Sequence, residues 1–549
     1  MTRLAVIASL VAALWAANLL RAGLLLVQRD DLRDVALRQR VRTESIEPVP
    51  GRLLDHRGRL LAVSERRPSV FLNPSKIDDP RTFATEVATV VGDADAIRDQ
   101  IESRRNRQFI WLRRFADEAT VDALRQLGLP DQSWGVCDEW QRTFPQGTAA
   151  THLVGFRDID HRPRMGLELL FADALAGTAG THRSVRDSRG RLLSPLDRMT
   201  QSVADGEAIR LTIDAAVQAV VGRELDAIVE EYHPAWATVI VVDVASGAVR
   251  AIENRPSFDP NRPAAGSQTD HARRTTLEPG STVKPLLMAA AVDARVIDPA
   301  VPVDTQLGQA VFGSRQVRDA HHVGIDLPGE ILVHSSNVGA AYIAGQLGPA
   351  RVYGTFRQLG LDQPVATDLP LERTGRLTRP EDWSDYSLGS HAIGYELAVT
   401  PLHLAAAYAT LSRGGVPVPL RFLEKTEAPI QTSPRRIWSP EVCRWLTSQP
   451  LRDVLVRGTA RRADVGDATV FGKTGTAQKY DPELGYASGR VACLFAGGVP
   501  AAAPRLVAVV IVDSPTTGNG RGGGSVAAPA AVRILRDADR LLWPDATDR

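Results

Sequence analysis

Twenty-four residues from Leu4 to Val27 run through alanine, leucine, valine and isoleucine with Arg21 as their only charge. A helix of that length spans about 36 Å, enough to cross a hydrocarbon layer about 30 Å thick. The chain contains no second run of this kind. The sequence therefore predicts one membrane-spanning helix, with everything after it on one side of the bilayer. A cleaved export signal is the rival reading, because Ala12, Ala13, Ala16 and Ala17 offer a weak cleavage site. The stretch outlasts the apolar core of about 7–15 residues typical of such signals, which favours the anchor. Only Arg3 precedes the run and many arginines follow it, so flanking charge does not orient it.

At roughly 100–200 residues per domain, 549 residues hold more than one folded unit. A chain that is 44% hydrophobic and 23% charged is not wholly disordered. Its 65 basic residues against 64 acidic ones leave no basic excess for a nucleic-acid partner. Cys137, Cys443 and Cys493 form no C-x-x-C pair, which excludes a disulfide framework and a structural zinc. No metal and no cofactor are expected.

After the apolar run, residues 29–44 read as a charged helical stalk. From Gly51 to about Ala204 the pattern is mixed, with a strand–turn–strand signal at Asp55-His56-Arg57-Gly58 and a helix near Asp117–Leu127. Nothing there pairs a nucleophile with a base, so the region reads as a non-catalytic spacer. A second unit opens near Asp205. Ile213–Glu231 has helical spacing behind Asp214 as a candidate N-cap. Trp236–Val244 and Ala248–Ile252 form a hairpin around Ser246-Gly247. A helical middle runs from about Ser281 to Leu411, and three β-rich runs follow at Ala468–Gln478, Arg490–Gly497 and Arg505–Val512. Val526–Leu542 closes the chain as a helix. Strands at both ends of a helical insert predict an α+β domain with one antiparallel sheet and helices against it.

Only five of the basic residues are lysine: Lys76, Lys284, Lys425, Lys473 and Lys479. Arginine keeps its proton at any workable pH, whereas a desolvated lysine can lose it and act as a base. Lys284 stands in Glu278-Pro279-Gly280-Ser281-Thr282-Val283-Lys284-Pro285, where a turn leads into an alanine-rich helix. Ser281 falls at the helix start, and a side chain three residues on lies on the same face. Serine beside a neutral lysine is a nucleophile–base pair. By itself Ser-x-x-Lys is a weak motif that a capping serine and a solvated lysine would also produce. Lys473 stands in Gly472-Lys473-Thr474-Gly475-Thr476, on or beside a β-run. A lysine, two hydroxyls and a glycine make a strand-edge cradle for a carboxylate, although a lysine guarding an edge strand is the plain alternative. Between them, His334-Ser335-Ser336-Asn337 interrupts a helical pattern. Ser335 and Asn337 could relay a proton and hold an amide, or simply cap a helix.

Ser281-x-x-Lys284, Ser335-x-Asn337 and Lys473-Thr474-Gly475, in that order, resemble the penicillin-binding proteins and serine β-lactamases. EPGSTVKP, SSNVG, FGKTGTAQK and PSFDPN narrow the resemblance to class B penicillin-binding proteins of the cell-division type. So do GRLLDHRGRLLAVS, the FPQG, HLVGF and GLE segments within 144–168, LTIDAAVQ, AIGYELAVTPLHLA and GGSVAAP. Relatives acting in elongation usually carry another residue where Asn337 stands. The likeness runs from about Gly51 to Pro529.

The resemblance implies a tip and anchor at 1–28, a non-catalytic pedestal at 29–205 and a transpeptidase domain at 206–549 with a central five-stranded antiparallel sheet flanked by helices. It implies a peptidoglycan D,D-transpeptidase of septal wall synthesis, inhibited by β-lactams. Ser281 would attack the D-Ala-D-Ala bond of a stem peptide with Lys284 as base. Ser335 would pass a proton to the leaving D-alanine, and Asn337 would hold the substrate or Lys284. Lys473, Thr474, Gly475 and Thr476 would bind the terminal carboxylate, with the oxyanion on the N–H groups of Ser281 and Thr476. The partners implied are stem peptides, an acceptor amine, β-lactams, a polytopic septal glycan polymerase and other division proteins. The location implied is the bacterial inner membrane, single-pass, with the catalytic domain in the periplasm at the septum.

Three departures stand out: Glu396 where the family tends to have glycine, CLFAGGVPAAAP after the lysine-threonine-glycine strand, and GNGRG where aromatics often precede GGSVAAP. The same chemistry in a β-lactamase or β-lactam sensor fits less well, since the long pedestal and the single span suit neither. An idle division scaffold would have no use for intact motifs. Gly518–Gly523 matches G-x-G-x-x-G, but too little chain follows for a dinucleotide-binding unit, so a loop near the active site is expected. His321-His322 point in different directions on any regular element, which speaks against a metal there, and Asp513 and Glu230-Glu231 read as ordinary surface residues.

Overall fold

Local sequence signals build most of the elements, and distant pairings decide the rest. The computed structural model describes residues 3–27, 41–186, 192–263, 268–320, 324–365, 368–370, 373–424, 435–466, 469–480, 483, 485–486, 489–518, 520 and 522–544. The chain divides into two compact units, residues 1–51 with 173–207, and residues 52–172 with 208–549.

In the first unit the apolar run is a single helix, Arg3–Val27. Its Ala5–Leu24 stretch, at a mean hydropathy of 1.7 and wholly unburied, is long and apolar enough to cross a membrane. The unit also holds a three-stranded antiparallel sheet in which Gly180–Arg186 lies between Val41–Ile46 and Leu192–Gln201. Residues 29–40 of the expected stalk lie outside the described residues. Residues 41–44 are strand, not helix. The β-branched Val41 and Thr43 favour extended backbone, and the pairing partner is far away in sequence, where a local pattern cannot reveal it.

In the second unit, Asp55 organises the predicted turn by accepting from the N–H groups of Arg57 (2.9 Å) and Arg59 (2.7 Å). The turn joins Leu53–Leu54 to the long strand Leu60–Leu72, which pairs with Ile110–Arg113 and Trp134–Thr143. Helices Pro80–Val91, Ala94–Ser103 and Glu118–Gln126 close a core around Val70, Leu72, Phe83, Ile101 and Leu124. Two segments on which the resemblance rests meet here. Asn261 of PSFDPN donates to the carbonyl of Phe144 in FPQG at 3.0 Å, and its own amide oxygen accepts from the Phe144 N–H at 2.8 Å.

The central sheet draws its strands from both ends of the remaining chain, as the sequence predicts. They are β1 (Trp236–Asp243), β2 (Val249–Arg255), β3 (Phe471–Gln478), β4 (Val491–Val499) and β5 (Leu506–Asp513). The spatial order is β2-β1-β5-β4-β3, antiparallel throughout. Every residue of β1 and β5 is buried, the mark of strands covered on both faces. Helix α1 (Ala215–Tyr232) starts behind Asp214, which accepts from the N–H groups of Ala216 and Val217. It packs against the closing helix α5 (Gly523–Leu542), and α4 (Pro401–Ser412) packs on β1 and β5.

The middle segment corrects one expectation. It contains α2 (Lys284–Asp293) and α3 (Asn337–Leu347), but also a hairpin of Gln309–Phe312 with Arg315–Arg318 and two further two-stranded pairs. Gly313, at a φ of +58°, makes the hairpin turn. Asp513 is another correction. It is 2% exposed and paired with Lys479 at 2.7 Å, because it ends the buried strand β5. Residues 321–323, including His321-His322, lie outside the described residues.

Candidate active site

The turn that carries Ser281 is shaped before any helix begins. Gly280–Val283 is one turn of 3-10 helix, and α2 continues from Lys284. Pro285 therefore falls in the first turn of α2, where its missing N–H is not needed. Ser281 is half-buried and lines an open cleft of about 430 Å³. Gly280, at a φ of +55°, sends its N–H to the carbonyl of Gly394 at 3.1 Å. A Cβ on Gly394 would stand 2.1 Å from the Gly280 oxygen, so this crossing admits no side chain there.

Lys284 is 2% exposed, and all four hydrogen bonds of its amine go to one turn. Nζ donates to the carbonyls of Ser335 (2.7 Å) and Ser336 (3.2 Å), to Ser335 Oγ (3.4 Å) and to Asn337 Oδ1 (2.7 Å). Ser281 Oγ makes no hydrogen bond among the described residues. The serine–lysine contact that the three-residue spacing allows is thus not formed in this state, because neutral oxygens on the facing turn hold the amine. Such contacts are often loose until substrate arrives. Burial pushes the amine down to about 7, partly opposed by the charge of Asp319.

The facing turn lies between helix Pro328–Val333 and α3. Ser335 adopts a left-handed φ of +60°, an uncommon conformation for a serine and one that often marks a functional site. Ser336 is the N-cap of α3 and accepts from the N–H of Gly339 at 2.9 Å. The cap is thus Ser336, the residue between the two that the sequence singled out, and neither Ser335 nor Asn337 caps the helix. Ser335 and Asn337 line the cleft.

On the edge strand β3, alternation splits the third motif between two faces. Thr474 and Thr476 share one face. Thr474 Oγ1 lies 2.6 Å from Thr459 Oγ1, and Thr476 Oγ1 accepts from the Gly523 N–H at 3.1 Å. Both line the cleft, as do Gly522 to Ser525 at the start of α5, where unpaired N–H groups favour an anion. Lys473 and Gly475 take the other face. A Cβ on Gly475 would stand 3.0 Å from Thr282 Cγ2 and 3.1 Å from the Pro279 carbonyl, so its bareness lets the Ser281 turn lie against the strand. Lys473 is fully buried and donates to the Thr474 carbonyl at 3.1 Å. It is no guard of an exposed edge, and it lies beneath the cleft rather than on its wall. Burial first, and then the nearby Lys284, hold its amine well below the ordinary lysine range.

Sequence reasoning missed Asp319, whose carboxylate accepts from the Ser336 hydroxyl and from the N–H groups of Asn337 and Val338. It also missed Thr459. A short polar residue in a connecting segment carries no periodic signal, and only the fold brings these two to the motifs. Glu396 has a left-handed φ of +61°, which accounts for the expectation of glycine. Its N–H donates to Glu278 (3.1 Å), and its carboxylate accepts from Ser387 Oγ (2.6 Å).

Residues 237–536 match the transpeptidase domain of penicillin-binding proteins, and residues 45–211 match the penicillin-binding protein dimerisation domain. The chain is 32% identical to a protein of Neisseria gonorrhoeae named a probable peptidoglycan D,D-transpeptidase, PenA, over 91% of this chain and 86% of that relative. It is 30% identical to the peptidoglycan D,D-transpeptidase FtsI of Escherichia coli K12, over 95% of this chain and 88% of that relative. Its fold matches penicillin-binding protein 3 of Mycobacterium tuberculosis, solved with aztreonam, at a TM-score of 0.69 and 24% identity, covering 91% of this chain and 97% of that one. With both domains and all three motifs in place, the chain belongs to the class B penicillin-binding proteins of the cell-division type.

Proposed function

We propose that this protein is a serine-type peptidoglycan D,D-transpeptidase that cross-links stem peptides in septal wall synthesis and is inhibited by β-lactams. One observation carries the reading. Ser281, Ser335, Asn337, Thr474 and Thr476 line a single cleft, and the buried amine of Lys284 lies at Ser335 and Asn337. A lysine pushed down to about 7 is half neutral at physiological pH and can take a proton.

Ser281 Oγ attacks the carbonyl of the D-Ala-D-Ala bond as Lys284 takes its proton. The developing oxyanion rests on the backbone N–H groups of Ser281 and Thr476. Ser335 passes a proton to the leaving D-alanine amine, and Asn337 steadies Lys284. The terminal carboxylate meets the hydroxyls of Thr474 and Thr476 with the start of α5 contributing positive potential, and its charge supplies the counter-ion that favours the protonated amine of Lys473. Gly475 keeps the strand close. An amine from a second stem then takes the acyl group and frees Ser281. A β-lactam acylates the same oxygen.

In this reading residues 1–28 are the cytoplasmic tip and single-pass inner-membrane anchor, 29–205 the pedestal, and 206–549 the catalytic domain in the periplasm. The pedestal and anchor engage a polytopic septal glycan polymerase and other division proteins. The test is intact mass after incubation with benzylpenicillin. A stable single adduct on the wild type, absent from Ser281→Ala, is expected. Drug turned over without an adduct would make the protein a hydrolase, and intact drug without an adduct would leave the scaffold reading.

A further inference from the structure

The amide of Asn337 has two ends, and only one of them can hold a lysine amine. Oδ1 accepts from Lys284 Nζ at 2.7 Å, while Nδ2 donates to the carbonyl of Arg318 at 2.9 Å. Turning the amide over would set an N–H₂ against an amine and an oxygen against a carbonyl, so Arg318 fixes which end faces the lysine. The next residue, Asp319, grips the same turn from outside. Its Oδ2 accepts from Ser336 Oγ at 2.6 Å, and its Oδ1 accepts from the N–H groups of Asn337 and Val338, the latter at 3.0 Å. The two carbonyls that hold Lys284 belong to Ser335 and Ser336 in that turn. Arg318 ends the Gln309–Phe312/Arg315–Arg318 hairpin and Asp319 follows it directly, so a short β element in the helical middle reaches the catalytic lysine through one turn.

From this clamp we infer that Asp319 is a positioning residue for the acylation step, holding the Ser335–Asn337 turn and its acceptors against Lys284 and setting the electrostatic environment of the amine. The inference rests on Lys284 being the base. Two charged groups face that amine, Asp319 from the hairpin and Lys473 from β3. Asp319 is the carboxylate of the two, and its charge opposes the effect of burial on Lys284.

The experiment follows the second-order rate of benzylpenicillin acylation against pH, by intact mass on the full-length protein in detergent. Asp319→Asn keeps an acceptor for the α3 N–H groups and removes the charge. Its rate–pH curve is expected to rise about one pH unit lower than the wild type's. Ser336→Ala keeps the charge and drops one arm of the clamp, so acylation should slow severalfold with the midpoint unmoved. A merely structural role would lower thermal stability and leave both midpoints where they are. An unmoved midpoint in Asp319→Asn overturns the inference. If that variant does not fold, Ser336→Ala decides, and an unchanged acylation rate there overturns it. Loss of every adduct in the wild type would instead sink the transpeptidase reading itself.

Discussion

Two regions of the second unit bury charge in opposite ways. Between residues 142 and 168, the carboxylate of Glu168 is inaccessible and accepts from Arg142 Nε at 2.7 Å and also from Arg157 Nε. Guanidinium groups keep their protons, so this cluster is a permanently charged clasp. Beneath the cleft, Lys284 and Lys473 are also buried, yet among the described residues each amine bonds only neutral oxygens. Deprived of a close counter-ion, both amines hold their protons less tightly than an ordinary lysine. Burial with a partner makes structure, and burial without one loosens an amine's hold on its proton, which at Lys284 makes a base.

The largest expected effect separates the two. Lys284→Met removes the amine at nearly constant volume. Benzylpenicillin acylation should fall about a thousandfold, within the range for losing a general base. Thermal stability should hold or rise near neutral pH. Unfolded Lys284 keeps its proton up to about 10.5 while the native amine sheds it near 7, so wild-type stability should climb relative to the variant across that window. Calorimetry at pH 7 and pH 9 checks the sign.

Glu168→Ala should do the reverse. Leaving two buried guanidinium groups uncompensated costs about 3–5 kcal/mol, read as a lower melting temperature. The acylation rate of the folded protein should stay within about twofold. A fall in rate matching that of Lys284→Met would show that the clasp belongs to the chemistry and would break the comparison.

Gly475→Ala lies between these extremes. A methyl pressed against Thr282 and the Pro279 carbonyl costs about 1–3 kcal/mol and pushes the Ser281 turn off β3. Acylation should slow more than stability falls, which paired melts and rates would show. The smallest effect is expected at Glu396→Gly. Relief of a left-handed residue, about 1–2 kcal/mol, is set against loss of the Ser387 hydrogen bond, about 1 kcal/mol. The melting temperature should move by only a few degrees.

Much of this was legible because its signals are local. Asp55 announces its turn and Asp214 its cap, and the lysine scarcity singles out Lys284 and Lys473 before any fold is known. What stayed hidden depends on pairing across the chain. The strand at 41–46 was hidden by a partner beyond residue 180, and Asp513 was hidden by burial at the end of β5. The inward turn of Lys473 follows from the pleat only once β3 is known to lie against the Ser281 turn. Asp319 and Thr459 became visible only where the fold brings them to the cleft.

The central claim is that Lys284 is neutral enough near pH 7 to activate Ser281. The most direct measurement is the benzylpenicillin acylation rate of the wild type from pH 5 to pH 10. The account predicts a tenfold fall for each pH unit below a midpoint at about 7, with a plateau above it. A rate still rising toward pH 10 would make Lys284 an ordinary charged lysine, a rate indifferent to pH would mean that no base titrates in this range, and either would contradict the mechanism.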